Sequence, residues 1–108
     1  MKLKFLSFGE IIWDVYKDEK TLGGAPLNFA LHSVRCGAES YILSAVGNDA
    51  YGAEARRIIE ASGVRCDYLG VSEYPTGRCD VTLGADGVAA YRIAVGTAYD
   101  NIYIRKRA

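Results

Sequence analysis

A short run near the N-terminal end has the residue types needed to bind a small polar molecule. From Gly23 to Asn28 the sequence is Gly-Gly-Ala-Pro-Leu-Asn. Glycine tolerates positive φ and has no side chain, so backbone N–H groups there can come close to a ligand. Proline suits the first position of a helix, and Asn28 in the first turn offers one acceptor and two donors to hydroxyl groups. The alternative is a purely structural role, in which the two glycines form a tight turn and Asn28 is a residue at the start of a helix.

Asp14 is the second candidate for contact with a ligand. It follows the predicted buried strand Leu3–Phe8, which ends at Gly9. Ligands of open α/β sheets gather beyond the carboxyl ends of the strands, so Asp14 is placed to bind one. A turn or helix-capping role is the alternative. The sequence has neither G-x-G-x-x-G after this strand nor G-x-x-x-x-G-K-[ST] anywhere, so it carries neither a dinucleotide fingerprint nor a P-loop.

The elements that must position these residues follow from the apolar pattern. A helix is predicted to begin at Pro26, followed by a buried strand over Ser40–Val46. A second helix over Tyr51–Ser62 comes next, with Asn48 or Asp49 as its N-terminal cap. Strand, helix, strand and helix in this order predict parallel pairing with right-handed crossovers. The predicted fold class is therefore α/β.

A different pattern begins at Asp67. Polar and apolar residues alternate from Arg78 to Leu83, which is typical of a strand with one solvent-exposed face. A turn over 84–87 and a returning strand over 88–94 predict a hairpin. Such strands do not continue a buried parallel sheet. We expect a separate flap whose apolar face is covered by a ligand, a partner chain or the main body.

The composition limits the classes of partner. The 108 residues fit one modest domain, and 13 basic residues balance 13 acidic ones. The balanced charge creates no strong electrostatic field that would attract nucleic acid or an anionic membrane. No apolar run is long enough to span a membrane. We expect a cytoplasmic protein with neither nucleic acid nor a membrane as partner. The one basic cluster, Arg105-Lys106-Arg107, is predicted to be a solvated tail.

The cysteines and the single histidine predict no separate chemistry. The chain has three cysteines, without a Cys-x-x-Cys or Cys/His cluster, which indicates neither a disulfide framework nor a zinc site. Reduced, mostly buried thiols are expected at Cys36, Cys66 and Cys79. His32 falls on a flank of the first predicted helix, where a structural or surface role is expected rather than general-base chemistry.

The chain resembles the PfkB-type, or ribokinase-like, carbohydrate kinases, most closely the bacterial fructokinase-like members. The resemblance rests on seven positions at the family's spacing: Gly23, Gly24, Pro26, Asn28, Ala30, Gly37 and Gly47. Further matches extend it over nearly the whole chain to Ile102: Gly9, Asp14, Asn48, Asp49, Gly52, Thr76, Gly77 and the run Ala98-Tyr99-Asp100-Asn101.

The resemblance implies a fold and an activity. The fold would be the N-terminal part of a ribokinase-like domain, with parallel strands, flanking helices and a small antiparallel β lid. Residues 1–108 would form one partial domain, with its α/β part at about 1–66 and lid strands at about 14–24 and 67–95. The activity would be transfer of the γ-phosphoryl group of ATP to a hydroxymethyl group of a sugar or nucleoside, with a fructose-like substrate favoured.

The resemblance also implies the residues that bind the sugar. Asp14 and Asn28 would bind its hydroxyl groups, and Gly23 and Gly24 would let the loop approach it. Tyr91 and Arg92 would contact it from the lid, although alternation leaves open which of the two faces inward. A homodimer through the β lid is the implied assembly, because lids of this family often pair between subunits.

The sequence also departs from the family pattern. Members have about three hundred residues and a Gly-Ala-Gly-Asp type turn that supplies the catalytic aspartate, whereas these 108 residues contain no such turn. No catalytic, cofactor-binding or metal-binding residue is therefore assigned, and ATP and Mg²⁺ are expected only for a full-length parent. We expect a truncated chain that is inactive alone. The alternative is a non-catalytic binding or dimerisation module.

Overall fold

The computed structural model describes residues 2–102, which form nine regular elements and one short 3-10 helix. The tail cluster 105–107 lies outside the described residues. No helix in the described part is long and apolar enough to cross a membrane. The strands are β1 (Lys4–Phe8), β2 (Ile12–Tyr16), β3 (Glu19–Gly23), β4 (Glu39–Gly47), β5 (Leu69–Ser72), β6 (Gly77–Leu83) and β7 (Ala89–Ile93). The helices are α1 (Ala25–Arg35) and α2 (Ala50–Ala61), and the 3-10 helix is Ala98–Asp100.

A three-stranded parallel sheet forms the body of the molecule, in the order β1-β4-β5. Helix α1 packs against β1 and β4, and α2 packs against β4. The central strand β4 carries Ile42 and Val46, both fully buried, and the helices bury Leu27 and Ile59 against the same core. Burial of these side chains supplies the main driving force for this packing. The α/β class expected from the order of elements is confirmed.

Glycines lie just outside both ends of helix α1: Gly24 precedes it and Gly37 follows its C-cap. Gly24 is the N-cap with φ of 111°, and Pro26 is the second helical residue rather than the first. Proline is tolerated there because the backbone N–H groups of the first turn have no partner within the helix. The helix buries Leu27, Ala30 and Ser33 and is followed by Gly37 at φ of 91°, a left-handed position that suits glycine.

A second sheet of four strands forms the lid, in the order β3-β2-β6-β7. The hairpin expected over 78–94 is present as β6 and β7, and β2 pairs with β3 in the same antiparallel way. The central pairing of β2 with β6 is parallel, so both strands enter the lid from the body at the same end. Ile12 is opposite Gly77 at this point of exit.

The predicted start of the second lid segment, at residue 67, is too early. Strand β5 lies within that segment, but Leu69 to Ser72 pair with Ser44 to Gly47 of β4 in the parallel sheet. The segment has only four residues and contains Gly70, so it lacks the long apolar run that marks a buried strand. The lid strands begin instead at Gly77.

The expectation that the cysteines are mostly buried is wrong. All three are free thiols, but Cys36 is exposed, Cys66 is partly buried and only Cys79 is buried. Cys36 is the C-cap of α1, at the point where the chain leaves the helix toward Gly37. A residue at the end of a helix has few neighbours to cover it, whatever its hydrophobicity.

Candidate functional site

The Gly23–Gly24 junction is packed directly against the loop between β1 and β2. A Cβ atom on Gly24 would lie 2.5 Å from the carbonyl oxygen of Glu10, and one on Gly9 would lie 2.8 Å from Cγ of Pro26. Gly9 and Gly24 also have positive φ, at 140° and 111°. Only glycine satisfies both the close approach and these backbone angles. Glycine at these two positions therefore allows the start of α1 to pack closely against the loop between β1 and β2.

Asn28 lies in α1 one turn after this junction. Its backbone N–H donates to the carbonyl oxygen of Gly24 at 2.9 Å and closes the first hydrogen bond of the helix. Its side chain is exposed, so the amide is available to a ligand. The first helical N–H groups and the positive end of the helix dipole lie beside it and favour oxygen-rich ligands.

Asp14 lies in the middle of β2, which excludes the turn and capping alternatives. It is opposite Thr21 of β3 and Cys79 of β6, and paired residues of neighbouring strands share one side of a sheet. Asp14 is exposed, whereas Cys79 is buried. Burial, followed by the negative charge of Asp14, raises the pKa of the Cys79 thiol. A neutral thiol therefore lies next to the candidate carboxylate.

The strand register separates Tyr91 from Arg92. Cys79, which shares a side with Asp14, is opposite Ile93 of β7, and Tyr91 lies two residues before Ile93 on that side. Arg92 is opposite Asp80 and lies on the other side of the lid. The structure therefore brings Tyr91, but not Arg92, to the side of the sheet that carries Asp14.

A compact hydrogen-bonded joint attaches the lid to the body beside this site. The side chain of Asp49 is the N-cap of α2 and accepts from the backbone N–H of Gly52 at 2.8 Å. The same carboxylate accepts from the backbone N–H of Thr76 at 3.0 Å and from its hydroxyl at 2.5 Å. The Thr76 oxygen in turn accepts from the N–H of Gly47 at 2.8 Å. One carboxylate thus links the end of β4, the start of α2 and the entry to β6.

The environment of Asp49 favours its charged form. Burial acts to raise the pKa of this carboxyl, but the hydrogen bonds from Thr76 and Gly52 outweigh it and the pKa is lowered. From the sequence, Asp49 is a candidate helix cap only, and its bond to Thr76, 27 residues away, is not visible. The available signals are a glycine three residues after the cap and the Thr76-Gly77 pair.

Other features of the described residues lie apart from this site. A cavity of about 480 Å³ is lined by Phe5, Phe29, His32 and Cys36 among others, near the first residues of β1 and β4. That is the end of the sheet opposite Gly24. Residues 2–102 contain no group of three or more His, Cys, Asp or Glu side chains that could hold a metal ion.

The sequence and the fold together define a family. Residues 1–101 match the pfkB family of carbohydrate kinases, and the chain belongs to that family. It is 32% identical over 87 residues to the fructosamine kinase FrlD of Bacillus subtilis, an alignment that covers 79% of this chain and 31% of FrlD.

Solved structures of sugar kinases have the same fold. A fructokinase from Vibrio cholerae superposes with a TM-score of 0.83 at 24% identity, covering 92% of this chain and 36% of that one. A sugar kinase from Pyrococcus horikoshii, determined in complex with ATP, superposes with a TM-score of 0.78 at 31% identity, covering 90% and 35%. The chain thus spans about a third of the length of these relatives.

Proposed function

We propose that this chain forms the sugar-binding and lid part of an ATP-dependent carbohydrate kinase. The observation that carries the proposal is the arrangement of Asp14 on a lid strand that leads, through β3 and the Gly23–Gly24 junction, into the helix bearing Asn28. The reaction would transfer the γ-phosphoryl group of ATP to a hydroxymethyl group of a fructose-like sugar. The similarity to a fructosamine kinase supports fructose and its amino derivatives as the substrate class.

The proposed roles follow from the chemistry of each group. The side-chain oxygens of Asp14 would accept hydrogen bonds from two neighbouring hydroxyls, and the Asn28 amide both donates and accepts. The loop at Gly23 and Gly24 would approach the sugar through its backbone, and nothing lies within 4 Å of a Cβ atom added to Gly23. Tyr91 lies on the same side of the lid as Asp14. Closure of the lid over the sugar would exclude water from the transferring phosphoryl group. Arg92 is left out of this site because it lies on the opposite side.

The binding proposal is tested by calorimetric titration with fructose and with 1-amino-1-deoxyfructose. Asp14→Asn keeps the shape of the side chain but removes its charge, so we expect the affinity for the better sugar to fall by about tenfold or more. Asp86→Asn is the matched control, because this exposed aspartate accepts from Val88 at the lid tip, away from the proposed site. Equal heats from wild type and Asp14→Asn would remove Asp14 from the site.

We propose further that phosphoryl transfer needs residues beyond these 108. Positioning and electrostatic stabilisation of the phosphoryl group require a catalytic base, donors at the anion and bound nucleotide, and no Gly-Ala-Gly-Asp type turn is present in the sequence. ATP and Mg²⁺ are accordingly proposed for a full-length parent, in line with relatives solved with ATP bound.

A polypeptide limited to residues 1–108 is therefore expected to form no fructose phosphate from ATP, Mg²⁺ and fructose above the rate without protein. The assay couples ADP release to NADH oxidation, and intact mass identifies the species tested. Clear turnover by a polypeptide of the 108-residue mass would contradict the assignment of catalysis to other residues.

A homodimer through the lid is proposed as the assembly, with a non-catalytic binding or dimerisation module as the second candidate function. The observation that favours both is the exposed apolar surface of the lid, where Leu83, Tyr91 and Ile93 are 54%, 69% and 59% exposed. Exposed apolar groups of this size on adjacent strands favour contact with another chain. A cytoplasmic location stays a prediction.

A further inference from the structure

Trp13 joins the lid to α2 on the side of β2 opposite to Asp14. Its side chain is 2% exposed, and its indole N–H donates to the backbone carbonyl of Tyr51 at 3.0 Å. The rings of Trp13 and Tyr51 lie 5.9 Å apart between centroids. Because successive residues of a strand face opposite sides, the contact that fixes Trp13 also fixes the strand from which the next side chain, Asp14, projects.

Lys20 of β3 reinforces this contact. Its ammonium nitrogen lies 2.9 Å from Oε2 of Glu54 in α2, 5.1 Å from the centroid of the Trp13 ring and 5.8 Å from that of Tyr51. Both charged side chains are 32% exposed, so water and salt screen them less than a fully exposed pair. Among the ion pairs of residues 2–102, this one alone joins a lid strand to the body.

We propose that Lys20, Glu54, Trp13 and Tyr51 form a latch that holds the lid sheet against α2 and thereby positions Asp14 for the sugar. The positioning role rests on the proposed function, since it matters only if Asp14 binds a sugar. Lys20 is opposite Val15 and therefore lies on the side of the lid away from Asp14, so no contact with the sugar is proposed for it. It is a positioning residue that acts through β3 and Trp13 on the neighbouring strand.

The position of the lid is measured with Trp13, the one tryptophan of the sequence. Lys20→Met keeps an aliphatic stem over the ring but removes the charge that binds Glu54. We expect the rate of acrylamide quenching of Trp13 fluorescence to rise about twofold or more, because loss of this half-buried pair lets the lid separate from α2. Lys4→Met is the matched control, since Lys4 pairs with Glu39 within the parallel sheet.

The sugar affinity is measured on the same variants with fructose and 1-amino-1-deoxyfructose. We expect Lys20→Met to weaken the binding of the better sugar about fivefold, while Lys4→Met leaves it unchanged. Lys20→Arg keeps the charge and the stacking on aromatic rings, so both quenching and affinity should return close to the wild-type values. Glu54→Gln removes the partner charge and provides a second disruptive variant if Lys20→Met fails to fold.

The outcomes separate the two proposals. Quenching that rises in Lys20→Met or Glu54→Gln, with weaker sugar binding and rescue by Lys20→Arg, supports the latch and its positioning role. Unchanged quenching overturns the latch, and raised quenching with unchanged sugar affinity overturns the positioning role. If the wild type binds neither sugar, the proposed function fails and the positioning role fails with it, while quenching alone decides whether the latch exists.

Discussion

Replacing Gly52 with alanine is expected to lower the free energy of unfolding by about 3 kcal/mol, because the new methyl group has no room. A Cβ atom on Gly52 would overlap the carbonyl oxygen of Gly47, a backbone atom at the end of β4, and would lie 2.9 Å from the hydroxyl oxygen of Thr76. Alanine favours a helix over glycine by about 1 kcal/mol, which does not offset a backbone clash. Urea unfolding followed by circular dichroism measures the change.

Gly70→Ala is the matched control for this variant. Gly70 lies in β5, and the atom nearest to an added Cβ is the carbonyl oxygen of Ser44 at 3.9 Å, an ordinary contact distance. We expect its free energy of unfolding to stay within about 1 kcal/mol of the wild type. A Gly52→Ala variant as stable as Gly70→Ala would show that α2 can move away from β4 without cost, against the close packing described above.

Asp49→Ala is expected to cost about 2–3 kcal/mol of folding free energy at neutral pH, from a lost helix cap and unpaired groups at Thr76. The carboxylate accepts three hydrogen bonds, and two of the donors belong to Thr76. Thr76 is only 2% exposed. Its removal leaves the Thr76 N–H without this acceptor where water has little access. The same urea titration measures the loss, and Asp86→Ala, at the exposed lid tip, should cost less than about 1 kcal/mol.

The effect of Asp49 is expected to depend on pH in a defined direction. Its pKa is lowered in the folded protein, so the carboxylate contributes its full stabilisation above the ordinary aspartate pKa of about 3.9. That contribution is lost as the pH falls through the lowered folded pKa. Wild type and Asp49→Ala should therefore differ most near pH 7 and converge progressively below about pH 4. A difference that stays constant from pH 7 to pH 3 would contradict ionised Asp49 as its source.

The body of the fold could be predicted from local patterns, because its signals lie within short stretches of sequence. A mostly apolar run marks β4, and a glycine and a proline at the start with a glycine after the C-cap mark α1. Strand β5 could not be found in this way. Its assignment depends on pairing with β4, which is a property of the assembled sheet and not of four residues containing Gly70.

The candidate site could be predicted as residue types but not as an arrangement. Alternation along β7 shows that Tyr91 and Arg92 face opposite sides, but only the register with β6 and β2 shows which of them shares a side with Asp14. The bond between Asp49 and Thr76 cannot be predicted for the same reason, since its partners are 27 positions apart in the sequence. Local sequence specifies which groups can bind, and long-range pairing specifies which of them meet.

The parallel pairing of β2 with β6 also has a consequence for how the chain folds. Ile12 pairs with Gly77, so the 64 residues between them must be brought into a closed loop before the first bond of this pairing forms. Closing such a loop costs conformational entropy, and contacts of high sequence separation slow folding. As the chain leaves the ribosome, β2 and β3 emerge first and can form only a two-stranded hairpin, which is marginal in water. The side of the lid that carries Asp14 can therefore be completed only after β6 has been synthesised.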